Sequence, residues 1–148
     1  MSEMSDYTED QLVLHFFRTG NATAITVLAH ALLTTTPIDG DTGQFTVGTG
    51  VEVTNAGAYA RVDRPPLDAN WTATAGGDGQ TDNAAAITYT TATADWSSGS
   101  NITALAICTS ATYDTVQMLF YSPVTTPKPI LTDDTAEFAI GAITATFA

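Results

Sequence analysis

The side chains on which a catalytic or metal site would draw are few: His15, His30, Cys108 and sixteen acids among 148 residues. A hydrolytic triad needs a nucleophile, a base beside it and an acid that orients the base. The two histidines lie far apart in sequence, and neither falls in a local catalytic signature. A glycosidase needs two facing carboxylates, and sixteen acids supply such a pair by number alone, so that pattern has no weight. Asp39, Asp41, Asp78 and Asp82 offer the hard oxygen ligands that Ca²⁺ prefers. Their spacing follows no EF-hand, and aspartate in Gly/Thr-rich loops is a turn former. There is no Gly-rich phosphate loop ending in Lys-Ser/Thr and no Cys/His zinc spacing. Cys108 closes the apolar run Ile102-Thr103-Ala104-Leu105-Ala106-Ile107-Cys108 and reads as a buried thiol without a disulfide partner. Trp71 and Trp96 could stack on a sugar, although Trp96 follows Asp95 at a strand boundary, where an indole closing the end of a sandwich is the commoner arrangement. These residue types point to no enzyme and no cofactor.

Charge narrows the partners. Only Arg18, Arg61, Arg64 and Lys128 oppose the acids, for a formal net charge of −12. Nucleic-acid affinity comes largely from neutralising phosphates, which four scattered cations cannot do, so no nucleic-acid partner is expected. The same charge would steer the protein towards a basic patch on another protein. The N-terminus Met1-Ser2-Glu3-Met4-Ser5-Asp6 is acidic and shows no basic segment followed by an apolar one, so no signal peptide is expected. The apolar stretches fall short of the roughly 20 residues that a membrane helix needs. The expectation is a soluble protein made in the cytoplasm, with no membrane partner.

The elements that would position these groups are mostly strands. Only 14% of residues are charged, against about 25% in an average domain, and Thr and Ala fill the gap. Threonine suits strands and alanine suits close layers. Strands are expected at 24–33, 58–64, 85–90, 102–109, 116–121, 136–140 and 143–147, with Gly/Asp/Thr loops at 39–50 and 72–83, the latter containing Gly76-Gly77-Asp78-Gly79. Pro65, Pro66, Pro123, Pro127 and Pro129 are expected outside strand interiors, where a missing N–H would break the ladder. Large residues point both ways in 117–121, with Met118 and Phe120 expected on one side and Leu119 and Tyr121 on the other, so this strand should be covered on both faces. One helix is expected at about 8–18: Thr8-Glu9-Asp10-Gln11 fits a capping box and Gly20 a left-handed stop. Its apolar stripe, Leu12, Val13, Phe16 and Phe17, must dock, either on the chain's own core or on a neighbour. The sum is one all-β domain over 1–148, a β-sandwich or jelly roll with one short N-terminal helix, and no internal repeat.

Ser5-Asp6-Tyr7 opening a short helix, Gly57-Ala58-Tyr59-Ala60-Arg61, Ala94-Asp95-Trp96, Leu119-Phe120-Tyr121 and Thr125-Thr126-Pro127-Lys128 occur in this order. Together they resemble small virion proteins of tailed bacteriophages, described in some cases as tail-fibre-like and in others as head decoration (cement) proteins. The chain departs from that pattern at 25–33, where members show a plainer aromatic-containing strand, and in the 39–50 loop, which is an extension. The resemblance implies a sandwich or jelly roll on the outer shell, with no enzymatic activity and no cofactor. It makes the leading expectation a cement protein that binds the major capsid protein lattice and itself, as a homodimer or homotrimer, on the outer capsid surface. The alternative is a tail or fibre component, or a host-glycan-binding module. The contact residues expected for the cement reading are Tyr7, Leu12, Phe16, Phe17 and Tyr121, with Arg61, Arg64 and Lys128 as charge partners, and on the fibre reading Trp71, Trp96 and the Gly/Asp loops would meet a glycan.

Overall fold

The structure, a computed structural model, describes residues 3–18, 22, 24–73, 79–115 and 117–146. The expected Gly20 stop, Asp78 with Gly76 and Gly77, Val116 and Phe147 lie outside the described residues. Among the described residues, ten strands, one α-helix and a single 3-10 turn (Trp96–Gly99, between β6 and β7) follow in the order β1 (Glu3–Met4), α1 (Asp6–Phe17), β2 (Ala29–Thr35), β3 (Val51–Glu52), β4 (Val62–Asp63), β5 (Gln80–Asp82), β6 (Ile87–Thr88), β7 (Ile102–Cys108), β8 (Met118–Lys128), β9 (Glu137–Phe138) and β10 (Thr144–Thr146). The fold is all-β and antiparallel, with one short helix, as the residue pattern implies.

The main sheet runs β1-β8-β7-β2-β3, and β4 also pairs with β2. Its centre is the pair β2 and β7, in register from Ala29↔Cys108 to Leu33↔Ala104. Both strands are buried on both faces over most of their length, and their residues are largely apolar, as strands between two layers must be. On one face Leu32, Leu105 and Ile107 pack with Ile87, Tyr89, Ala136 and Ile143. Those four belong to, or flank, two ribbons, β6 with β9 and β5 with β10, which form the second layer. On the other face Ala31, Leu33, Ala104, Ala106 and Cys108 pack under Phe45 from the 39–50 loop.

The doubly covered strand is found, but its alternation differs from expectation. Met118 and Tyr121 join the cluster under Phe45, while Leu119 and Phe120 belong to the opposite one. The cause is a register shift between Ile107 and Cys108, which places Phe120 opposite Ile107 and Met118 opposite Cys108. A bulge lets one strand gain a residue, so the simple period of two is lost there. β8 also runs through Pro123 and Pro127, contrary to the expectation for prolines. Of the strands, β1 covers its outer side only at Phe120 and Tyr121, so the rest of β8 is an edge, where proline is tolerated.

Other boundaries move for local reasons. The expected strand at 58–64 shrinks to β4 because Gly57 and Ala58 take positive φ, +62° and +66°. A Cβ on Gly57 would meet the Ala94 carbonyl oxygen at 2.9 Å, so a side chain there is strained and crowded. The strand expected at 24–33 is β2, shifted towards Thr35, and the three short strands β1, β3 and β5 were not expected.

Helix α1 starts earlier than expected, with Ser5 as its N-cap. The capping box does not form: the Thr8 hydroxyl donates to the Leu119 carbonyl at 2.9 Å, and the Ser5 hydroxyl donates to the Met118 carbonyl. Both hydroxyls tie the helix to β8, and this fixes its roll. Tyr7 is half-buried against the core, while Val13, Phe16 and Phe17 face out, 49%, 68% and 82% exposed.

Candidate functional site

The groups that carry chemistry are used for structure. His30 is fully buried in β2. Its Nδ1 lies 3.0 Å from the Val62 carbonyl, which can only accept, so Nδ1 carries the proton. Nε2 has no hydrogen-bond partner among the described residues, and the ring stacks on Trp71 at 5.9 Å. Burial disfavours the imidazolium and lowers the His30 pKa from 6.5 to about 4. Burial likewise raises the Cys108 thiol to about 12, so it holds no reactive thiolate at neutral pH. His15 is exposed on α1, edge-on to Phe16.

Among the described residues, Asp39, Asp41 and Asp82 do not gather. Asp41 is buried and accepts from the backbone amides of Ile38, Thr49 and Gly50 at 3.1, 2.8 and 2.8 Å, organising the 39–50 loop. Asp82 accepts from the Thr144 hydroxyl at 2.6 Å. Asp39 instead approaches Asp6 and Glu9, whose carboxylate oxygens come within 4.8 Å of one another on the surface.

Trp96 is 1% exposed, so it offers no platform for a sugar. Its indole N–H donates to the Gly57 carbonyl at 2.8 Å, and its ring meets Tyr59 edge-on at 5.2 Å. The Gly57 and Ala94-Asp95-Trp96 motifs therefore meet in space and close one end of the core. Trp71 lines a cleft of about 720 Å³ with Leu67 and Asp68, the one charged residue among the described lining. Another cleft, of about 530 Å³, opens between the layers beside Leu105, Ile107, Phe120 and Ile143. Among its described lining residues there is no histidine, cysteine, carboxylate or cation.

Two of the expected charge partners turn inward. Arg61 is buried and forms the one ion pair among the described residues. Its Nε and Nη2 donate to the two oxygens of Glu52 at 2.8 and 2.7 Å, a bidentate fork. It also donates to the carbonyls of Gly43, Ser110 and Thr115, and the Tyr59 hydroxyl donates to Glu52 at 2.8 Å. This clamp joins β3, the 39–50 loop and the turn before β8, and it corrects the expectation of an Arg61 surface contact. Arg64 is half-buried and donates to the Ala86 and Asp63 carbonyls. Tyr121, 7% exposed, is core for the same reason as Met118. Lys128 alone of that group is exposed, at the far end of β8 opposite Ile102.

What remains is α1. Its inner face carries Tyr7, Thr8, Gln11, Leu12 and Leu14, all buried or half-buried. Its outer face carries Asp6, Glu9, Asp10, Val13, Phe16 and Phe17, all exposed. Positions 13, 16 and 17 are related by three and four residues, so they form one patch. Phe16 and Phe17 meet edge-on at 6.5 Å. The expected stripe is thus split: Leu12 turns partly in, and the aromatic pair stays off the chain's own core. The residue pattern did not mark the acids on this face as part of the site.

Among the described residues no helix is long and apolar enough to cross a membrane. No curated protein matches the chain. A family model described as podophage GP4 fiber I protein gp80 matches residues 3–146, nearly the whole chain. It agrees with the resemblance carried by the helix start, the Gly57 turn and the Trp96 motif, since all three lie inside the match. The chain belongs to the podophage GP4 fiber I protein gp80 family and is a phage virion protein.

Proposed function

We propose that this chain is a structural component of a podophage fibre assembly, attached through the outer face of α1, and that it has no enzymatic activity. One observation carries the attachment: Phe16 and Phe17, 68% and 82% exposed, sit side by side on a helix whose other face is tied to β8. Scattered exposed apolar residues are ordinary, but a contiguous aromatic patch marks a contact surface. The family's description as a fibre protein supports the fibre over the shell. The use of His30, Cys108 and Arg61 within the fold supports a structural role: His30 and Cys108 are buried and Arg61 is paired with Glu52.

The second reading is decoration of the outer face of the major capsid protein lattice. It is favoured by the net charge of −12, which a DNA-filled interior would repel and an outer face with basic patches would attract. On either reading repetition multiplies a modest affinity. Gold labelling of a tagged copy in purified virions separates the two. Label at the tail and fibres is the expected result; label spread over the shell would establish decoration in its place.

A further inference from the structure

We propose that α1 seats in a groove on a different protein chain, with an apolar floor under Val13, Phe16 and Phe17 and a basic rim beside Asp6, Glu9 and Asp10. This rests on the virion reading above for the particle on which it acts. Helix-in-groove docking presents residues three and four apart to one surface, and this face presents them in two zones. Asp6, Glu9 and Asp10 occupy the start of α1, and Val13, Phe16 and Phe17 its end. Glu9 and Phe16 are seven residues apart, or about 10 Å along the helix axis. Asp39 adds a further carboxylate beside Asp6 and Glu9. A partner complementary to both zones must therefore change from basic to apolar along about two helical turns.

Charge decides against a second copy of this chain. Each copy carries −12, and of its four cations Arg61 and Arg64 are engaged with internal acceptors. Arg18 and Lys128 are the two that remain exposed, so one copy has little basic rim to offer another. Two such helices packed parallel would bring acids against acids, which opposes association, and packed antiparallel would set the acids of one copy against the aromatic zone of the other, where they find no cation.

Purified virions of a phage lacking this gene supply the partner in place, and the purified chain is added back at a series of salt concentrations. Wild-type protein should bind, and Glu9→Gln/Asp10→Asn should bind about tenfold more weakly at low salt, the gap closing as salt screens the rim. The charge reversal Glu9→Lys/Asp10→Lys should bind more weakly again. Both pairs are exposed on the helix surface, so the thermal midpoint of each variant reports whether it remains folded. The free wild-type chain should sediment as a monomer at about 100 μM, where a weak helix-mediated dimer would show. Equal binding of wild-type and reversed chains, or a free dimer that Phe16→Ser disperses, would overturn the basic rim and leave the virion role standing. Particles that bind no form of the chain would overturn both.

Discussion

Replacing Arg61 with alanine should cost about 4 kcal/mol at pH 7, the largest loss expected of any single charge in the chain. Glu52, itself 5% exposed, would be left as a buried carboxylate whose remaining donor is the Tyr59 hydroxyl. The carbonyls of Gly43, Ser110 and Thr115 would lose their shared donor as well. A domain of this kind holds about 5–15 kcal/mol in all, so the thermal midpoint should fall by about 10 °C or more. The double variant Glu52→Leu/Arg61→Met removes both charges together and should be less damaging than Arg61→Ala, because no charge is left unpaired. Arg61→Lys keeps the charge but not the fork, and should fall between the two. Urea unfolding of these variants checks the order. A loss under about 1 kcal/mol for Arg61→Ala would mean that the clamp is an exposed pair in solution.

Acidification should destabilise the protein through His30. The folded state holds this imidazole neutral down to about pH 4, because burial strips water from the charged form and the nearby Arg64 cation opposes it. The unfolded chain takes up that proton near the ordinary value of 6.5. Between these two values the unfolded state binds more protons, so stability falls as pH falls. The contribution is fully present above about pH 6.5, and about 3 kcal/mol of it is gone at pH 4. The net charge of −12 works the other way, since protonating surface acids relieves repulsion. The histidine is therefore isolated by comparison with His30→Gln, which keeps a donor for Val62 and does not titrate. The stability difference between the two should narrow by about 3 kcal/mol from pH 7 to pH 4. Parallel pH profiles would show that His30 finds a partner or water when it is protonated.

The long apolar runs declared the centre of this fold. β7 and the start of β8 are continuous hydrophobic segments of the length a covered strand needs, and both lie where the pattern put them. The helix was legible from its apolar spacing and its acidic first turn. The strands of two or three residues, β1, β3 and β5, were not, because a pairing that short has no period to detect. The swap of Phe120 and Tyr121 between faces came from a bulge at Leu119, the residue of β8 left without a partner between Met118 and Phe120, and such a slip in pairing leaves no mark on the period of the run.

The candidate site was half legible. Phe16 and Phe17 were identifiable as residues that need a dock, but which face of α1 turns outward depends on Ser5 and Thr8 reaching the β8 carbonyls. Those hydroxyls read locally as helix caps, and the strand outcompeted the cap. Arg61 looked like a surface cation because most arginines are. The available hint was Glu52, nine residues earlier in a chain with few charges, and its pairing is a long-range fact of β3 packing beside the Gly57 turn.

The claim that the outer face of α1 attaches this protein to its virion is tested most directly by Phe16→Ser/Phe17→Ser. Both side chains are exposed, so the isolated variant should melt within a few degrees of wild type. In virions from cells that supply only this variant, quantitative mass spectrometry should find it at a few per cent of the wild-type ratio to the major capsid protein. Incorporation at the wild-type ratio would place the attachment elsewhere, and a variant that no longer folds would make Phe16 and Phe17 part of the core.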